Sequence, residues 1–191
     1  MGPMRSINEQ DKKVLLKIAR AAISEGVEDG SPLSVNLENY SERLRTPTAT
    51  FVTLYQSGKL AGCIGSLDAD QPLIKDVVAN AYSAAFRDHR FSPVRAEDVE
   101  GLTIEISVLS PLEPLVVADE QELKEQLVAN SDGLVIDTPG GRATFLPKVW
   151  QSLPDKALFV RQLKLKAGLA EDYWSEALNC YKYRTETFAD V

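Results

Sequence analysis

The chain has 191 residues, 44% hydrophobic and 26% charged, the composition of a folded domain rather than of a disordered, collagenous or coiled-coil protein. Twenty-one basic against 28 acidic residues leave a net charge of -7, which disfavours a general nucleic-acid binder and an anionic membrane surface, because both need surplus cations. Two cysteines, Cys63 and Cys180, are too few for a secreted disulfide framework, residues 1–6 show no apolar signal region, and no stretch approaches the roughly 20 apolar residues of a membrane span, so a reduced, cytoplasmic protein is expected.

In chain order, residues 8–25 are expected as the first helix: Val14, Leu15, Ile18 and Ala22 keep a helical period and Gly26 offers a stop. Residues 30–47, with two prolines and little periodicity, read as a long surface connection. Residues 48–56 and 59–64 read as a hairpin about Ser57-Gly58, with Tyr55 opposite Leu60, Thr53 opposite Gly62 and Val52 opposite Cys63. Cys63 would then point the way Val52 and Leu54 do, and a slip of one residue would reverse that.

Leu73, Ile74, Val77, Val78, Ala81 and Ala85 form an apolar helical stripe, with Asp68 or Asp70 as the expected N-cap. Three positions past Ala85 stands Asp88, on the same inward side. Phe91 and Pro93 are expected to end the helix. Residues 102–108 alternate as a half-buried strand, and residues 119–129 read as an acidic amphipathic helix.

Residues 133–138 and 142–146 flank Pro139-Gly140-Gly141 as a second hairpin, with positive φ available at glycine. Pro147 suits the first turn of a short helix to Ser152. Ser152-Leu153-Pro154-Asp155 resembles a capping box for a helix that stops at Gly168, and residues 179–188 alternate as a last strand. Two hairpins imply antiparallel pairing, so the expected class is α+β, a mainly antiparallel sheet with flanking helices, in one domain over residues 1–191.

Phosphate-binding and dinucleotide-binding glycine loops, His-Glu-x-x-His and the Gly-x-Ser-x-Gly elbow are all absent, and one histidine with two distant cysteines does not make a zinc site. No cofactor and no metal are implied. Two segments stand out instead. In residues 60–66, Gly62 and Gly65 flank Cys63 inside a strand. One reading makes Cys63 a nucleophile or redox thiol, with the glycines admitting a substrate; the other, preferred because free cysteine is among the most buried residue types, makes it a small thiol in a tightly packed sheet. In residues 87–93, Asp88, His89 and Arg90 gather at a helix C-terminus. Arg90 could clamp an anion and His89 act as base to Cys63, or the cations could complement the helix dipole while Asp88 pairs with Arg90 or ties down loop amides. Residues 97–137 hold eleven acidic residues and one basic, and residues 142–166 six basic and one acidic, read as two solvated faces or as a docking surface.

The elements Gly62-Cys63-Ile64-Gly65, Asn80-Ala81 through Ala84-Ala85-Phe86, Asp88-x-Arg90-Phe91-x-Pro93, Ile104-Glu105-Ile106-Ser107-Val108-Leu109, Gly133-Leu134-Val135-Ile136, Thr144-Phe145-Leu146-Pro147 and Lys166-Ala167-Gly168-Leu169 resemble the AMMECR family, named for an Alport syndrome, midface hypoplasia and elliptocytosis chromosomal region. The resemblance spans residues 8–188. It implies an α+β fold with a larger and a smaller lobe and a cleft near the signature element. It also implies kinship with protein A of the AmmeMemoRadiSam system, whose other parts, a Memo-like protein and a radical S-adenosylmethionine protein, are the candidate partners.

Carried onto this sequence, the signature gives Cys63, Asp88 and Arg90 as candidate catalytic residues and Gly62, Ile64, Gly65, Asn80 and Phe91 as candidate binding residues. Ala61 replaces the family's usual arginine, and His89 stands where proline is frequent, so a His-Cys dyad is not a family feature. Two functions follow: an accessory component that binds a partner or substrate while redox enzymes do the chemistry, or an enzyme whose Cys63 acts in an interlobe cleft.

Overall fold

The first helix begins where the Asn8 side chain accepts the Asp11 amide, and it ends where Gly30 adopts φ +67 and returns its N–H to the Gly26 carbonyl. The computed structural model describes residues 6–190; the segment read as lacking a signal region lies, up to residue 5, outside them. The elements in chain order are α1 (Glu9–Asp29), α2 (Glu42–Arg45), β1 (Thr50–Gln56), β2 (Lys59–Gly65), α3 (Leu73–Phe86), β3 (Leu102–Leu109), β4 (Glu113–Leu115), α4 (Glu120–Gln126), β5 (Gly133–Thr138), β6 (Gly141–Phe145), α5 (Lys156–Lys166), β7 (Asn179–Tyr183) and β8 (Thr185–Ala189). The class is α+β, as the hairpins imply.

The helix stop thus lies at Gly30, four residues beyond Gly26. Gly26 is glycine for a different reason: a Cβ there would press on the rings of Tyr82 and Phe86. Helix propensity alone favours alanine over glycine by about 1 kcal/mol. We expect Gly26→Ala to destabilise by about 1 kcal/mol nonetheless, because the two rings are themselves packed at 5.0 Å and yield poorly. Urea unfolding decides between the two, since the propensity argument requires the opposite sign.

Two compact units emerge, one from the chain up to Leu109 with the segment from Glu186 on, the other from Ser110–Thr185. In the first, a sheet of order β2-β1-β3-β8 has antiparallel β2, β1 and β3. Val52, Leu54, Ile104 and Ile106 on one face pack with Leu15 and Ile18 of α1 and Ile74 and Val77 of α3. Residues 30–47 are more than a surface connection. They contain α2, whose Ser41 cap donates to Asp11 of α1 and which buries Leu44.

In the second unit the sheet order is β4-β7-β5-β6, and Trp150 stacks on Phe159 at 3.7 Å in the core. The Trp150 indole donates to the Asp132 carbonyl at 2.7 Å, so burial leaves no orphaned donor. α5 has its N-cap three residues beyond the expected Ser152, because the Asp155 carboxylate accepts the Leu158 amide. It ends as expected, with Gly168 at φ +76 and the Leu169 N–H on the Lys164 carbonyl.

The single last strand expected over residues 179–188 is two strands in different sheets. Between them Arg184 is held by Ser110, whose N–H donates to the Arg184 carbonyl and whose hydroxyl oxygen accepts the Arg184 N–H. Two pairs within this unit join the acidic and basic blocks, buried Lys164 with Glu120 and Arg142 with Asp137 at 3.6 Å, while Lys124, the one cation of the acidic block, pairs with Glu120 at 3.4 Å.

Candidate functional site

The site is set by a conflict between a turn and a core. Ser57 (φ 51) and Gly58 (φ 74) form a two-residue hairpin loop with both central residues left-handed, which fixes Gln56 opposite Lys59 and Tyr55 opposite Leu60. Continued without interruption, that register would turn Ile64 out of the core. An extra residue at Ala61 resolves it: Leu54 pairs with Gly62, Val52 with Ile64 and Phe51 with Gly65, and Ile64 packs against the core. Cys63 is thereby opposite Thr53 rather than Val52, the reverse of the face expected from the turn. Its Sγ lies 3.3 Å from Thr53 Oγ1, and Thr53 in turn pairs with Glu105 of β3. A thiol, a hydroxyl and a carboxylate therefore stand in one row across three strands. Sequence reading missed Thr53 and Glu105; the need to bury Ile64 was the signal that would have found them.

The two glycines beside Cys63 make room for the protein's own atoms. A Cβ on Gly62 would fall on the Ala84 carbonyl oxygen of α3, and one on Gly65 would meet the Phe51 ring and the Thr50 carbonyl.

Asp88 and Arg90 meet at Cys63 through its backbone. Asp88 Oδ2 accepts the Cys63 N–H at 2.9 Å, and Arg90 Nη2 donates to the Cys63 carbonyl at 3.0 Å. The two side chains are joined by Nε to Oδ1 at 2.8 Å and Nη2 to Oδ2 at 2.7 Å, a bidentate pair, and Oδ1 also accepts the Arg90 amide. The Asp88 side chain is 4% exposed and that of Arg90 is 61%, with its guanidinium 5.3 Å from the Phe91 ring centroid. His89 between them is exposed.

The hydrogen bond from Arg90, helped by the Cys63 amide and opposed by burial, holds the Asp88 carboxyl down to about 2, against 3.8 ordinarily. Its bond to Asp88 raises Arg90 in turn. Because the folded value is the lower one, this stability is complete above about pH 4 and disappears as pH falls through about 2. At 1.36 kcal/mol per unit, Asp88→Asn should remove about 2 kcal/mol at neutral pH, less whatever solvent screening takes from the exposed arginine. Urea midpoints of the two proteins should converge on acidification; a gap that persists at about pH 2 contradicts the assignment to this ion pair.

Asn80 lies elsewhere in the same unit, in a buried network. Its amide donates to Thr50 O at 3.1 Å and to Asp76 Oδ2 at 2.9 Å. Asp76, in the first turn of α3, also accepts from Thr50 Oγ1, Ser66 Oγ and Gln71 Nε2. No side chain caps α3, where Asp68 or Asp70 was expected to: the N-cap position is Pro72, and the helix ends at Phe86, before the Phe91 and Pro93 expected to end it. Among the described residues no group of three or more His, Cys, Asp or Glu side chains could hold a metal ion, and no helix is long and apolar enough to cross a membrane.

Comparison with known proteins places this geometry among relatives. A family model described as AMMECR1 matches residues 16–188. A protein of Methanothermobacter thermautotrophicus is 31% identical over 188 residues, covering 95% of each chain, and Protein MJ0810 of Methanocaldococcus jannaschii is 31% identical over 196 residues, covering 98% of this chain and 94% of its own. The crystal structure of the uncharacterized protein PH0010 from Pyrococcus horikoshii is similar at a TM-score of 0.89 and 29% identity, covering 96% of this chain and 93% of that one.

Proposed function

The chain belongs to the AMMECR1 family, and from that premise we propose that it is an accessory, partner- or substrate-binding component of a cytoplasmic modification system, acting beside a Memo-like protein and a radical S-adenosylmethionine protein. The observation that carries this reading is the commitment of the polar groups nearest Cys63 to structure. Asp88 is a buried, saturated acceptor with its carboxyl held down to about 2, which suits an anchor and not a general base at neutral pH. The family match runs through both compact units, which supports treating residues 1–191 as one functional domain. The test is co-expression of the chain with the Memo-like and radical S-adenosylmethionine proteins of the same organism. Co-elution in size exclusion is the expected result; three separate peaks, under conditions where the redox proteins turn over without this chain, would overturn it.

A second reading, an enzyme dependent on Cys63, is supported by the half-buried thiol and by the Arg90 guanidinium held at the carbonyl of the same residue. On this reading native Cys63 is alkylated in a pH-dependent manner that Cys63→Ser removes. Cys180, buried in β7 with its thiol pushed up to about 11 by that burial, is expected to react only after unfolding. If no thiol is labelled before denaturation, catalysis by Cys63 fails.

A further inference from the structure

β2 is an outermost strand of its sheet, so one of its sides faces no neighbouring strand among the described residues. In an antiparallel ladder alternate residues turn both backbone groups to the same side. At Cys63 both are turned away from β1, since Asp88 takes the N–H and Arg90 the carbonyl. These are the groups that an incoming strand would pair with. The surrounding residues 60–65 carry no charged side chain, and an uncharged open edge is a template for another chain. Exposed Lys59 and the extra residue at Ala61 disturb the edge near the turn, leaving Cys63 and Gly65 as the outward-facing positions of its regular part.

We infer that the Asp88–Arg90 pair is an edge plug, an acceptor and a donor filling the two hydrogen-bonding positions at Cys63 that a strand from a second copy of this chain would occupy. The pair copies what a strand offers: one oxygen for the N–H, one N–H for the oxygen. α3 delivers it, for Asp88 stands two residues beyond Phe86 and its carboxylate is buried, while the exposed arginine closes the outer side. In the other sheet one of the two positions is filled in a similar way: Lys166 Nζ donates at 2.9 Å to the Thr144 carbonyl on β6, also an outermost strand.

The experiment compares wild type with Arg90→Ala by sedimentation velocity over a wide concentration series, with circular dichroism to establish folding. The plug predicts self-association tightened by about tenfold or more, equivalent to about 1.4 kcal/mol, and loss of that gain when Leu60→Lys is added to charge the same edge. A folded Arg90→Ala protein that sediments as wild type overturns the inference, and so does association that survives Leu60→Lys. Should the alanine variant not fold, Arg90→Met, which keeps the stem near Phe91 and removes only the donors, decides the question by the same criteria.

Discussion

Gly62→Ala is expected to destabilise the protein by about 3 kcal/mol, the upper end of the usual range for a methyl group forced into a filled interior. The added Cβ would land on the Ala84 carbonyl oxygen, a backbone atom of α3 that cannot rotate aside as a side chain can. Relief requires α3 to move off the sheet, and α3 carries Ile74, Val77, Val78 and Ala81 into the core. Such a shift also carries Asp88 away from Cys63, so amide exchange at Cys63 should accelerate along with the fall in urea midpoint. Gly101→Ala is the control, because its methyl meets nothing within 4 Å and its cost should stay within about 0.5 kcal/mol. Equal stabilities for the two variants would mean that the contact with Ala84 does not limit helix-to-sheet distance.

What the sequence conceals follows from the same interaction. Alternation in β3 and the stripe on α3 are local, since each depends on residues within one element, and both are legible. Counting along the helix even reached Asp88. Gly26 and Gly30 look alike in sequence, and only the rings of Tyr82 and Phe86, more than fifty positions away, distinguish a packing glycine from a helix stop. The register of Cys63 is hidden for a related reason. Turn chemistry and core demand specify different pairings for β2, and the residue that absorbs the difference, Ala61, has no side chain that announces it. Arg90 was ambiguous between clamping a ligand and tying down structure because a guanidinium does either; its position at the Cys63 carbonyl is a tertiary fact. The last strand shows the limit of pattern, for alternation continues across Arg184 while the sheet to which it belongs changes.

Asp76 is the least legible of the structural groups, a carboxylate interrupting an apolar stripe, and it supplies the second large expected effect. Asp76→Asn keeps the shape of the side chain and should still cost about 3 kcal/mol, the scale of a buried polar group left facing the wrong partner. Every contact to Asp76 comes from a donor: Ser66 and Gln71 on Oδ1, Thr50, Ser66 and Asn80 on Oδ2. Converting either oxygen to an amino group sets donor against donor, and the hydroxyls of Thr50 and Ser66 can reorient only partly because Asn80 Nδ2 donates to the Thr50 hydroxyl as well. The effect should be felt at the end of β2, where the Ser66 amide is bonded to the Thr50 carbonyl at 2.9 Å, as faster hydrogen exchange there. Asp119→Asn makes the same chemical change at the N-cap of α4, where asparagine accepts the Glu122 amide as well as aspartate does, and its expected cost is below about 0.5 kcal/mol. Denaturation of both variants at neutral pH separates the readings: if Asp76→Asn falls as little as Asp119→Asn, the network contains a donor that can become an acceptor, and its all-acceptor role for Asp76 is wrong.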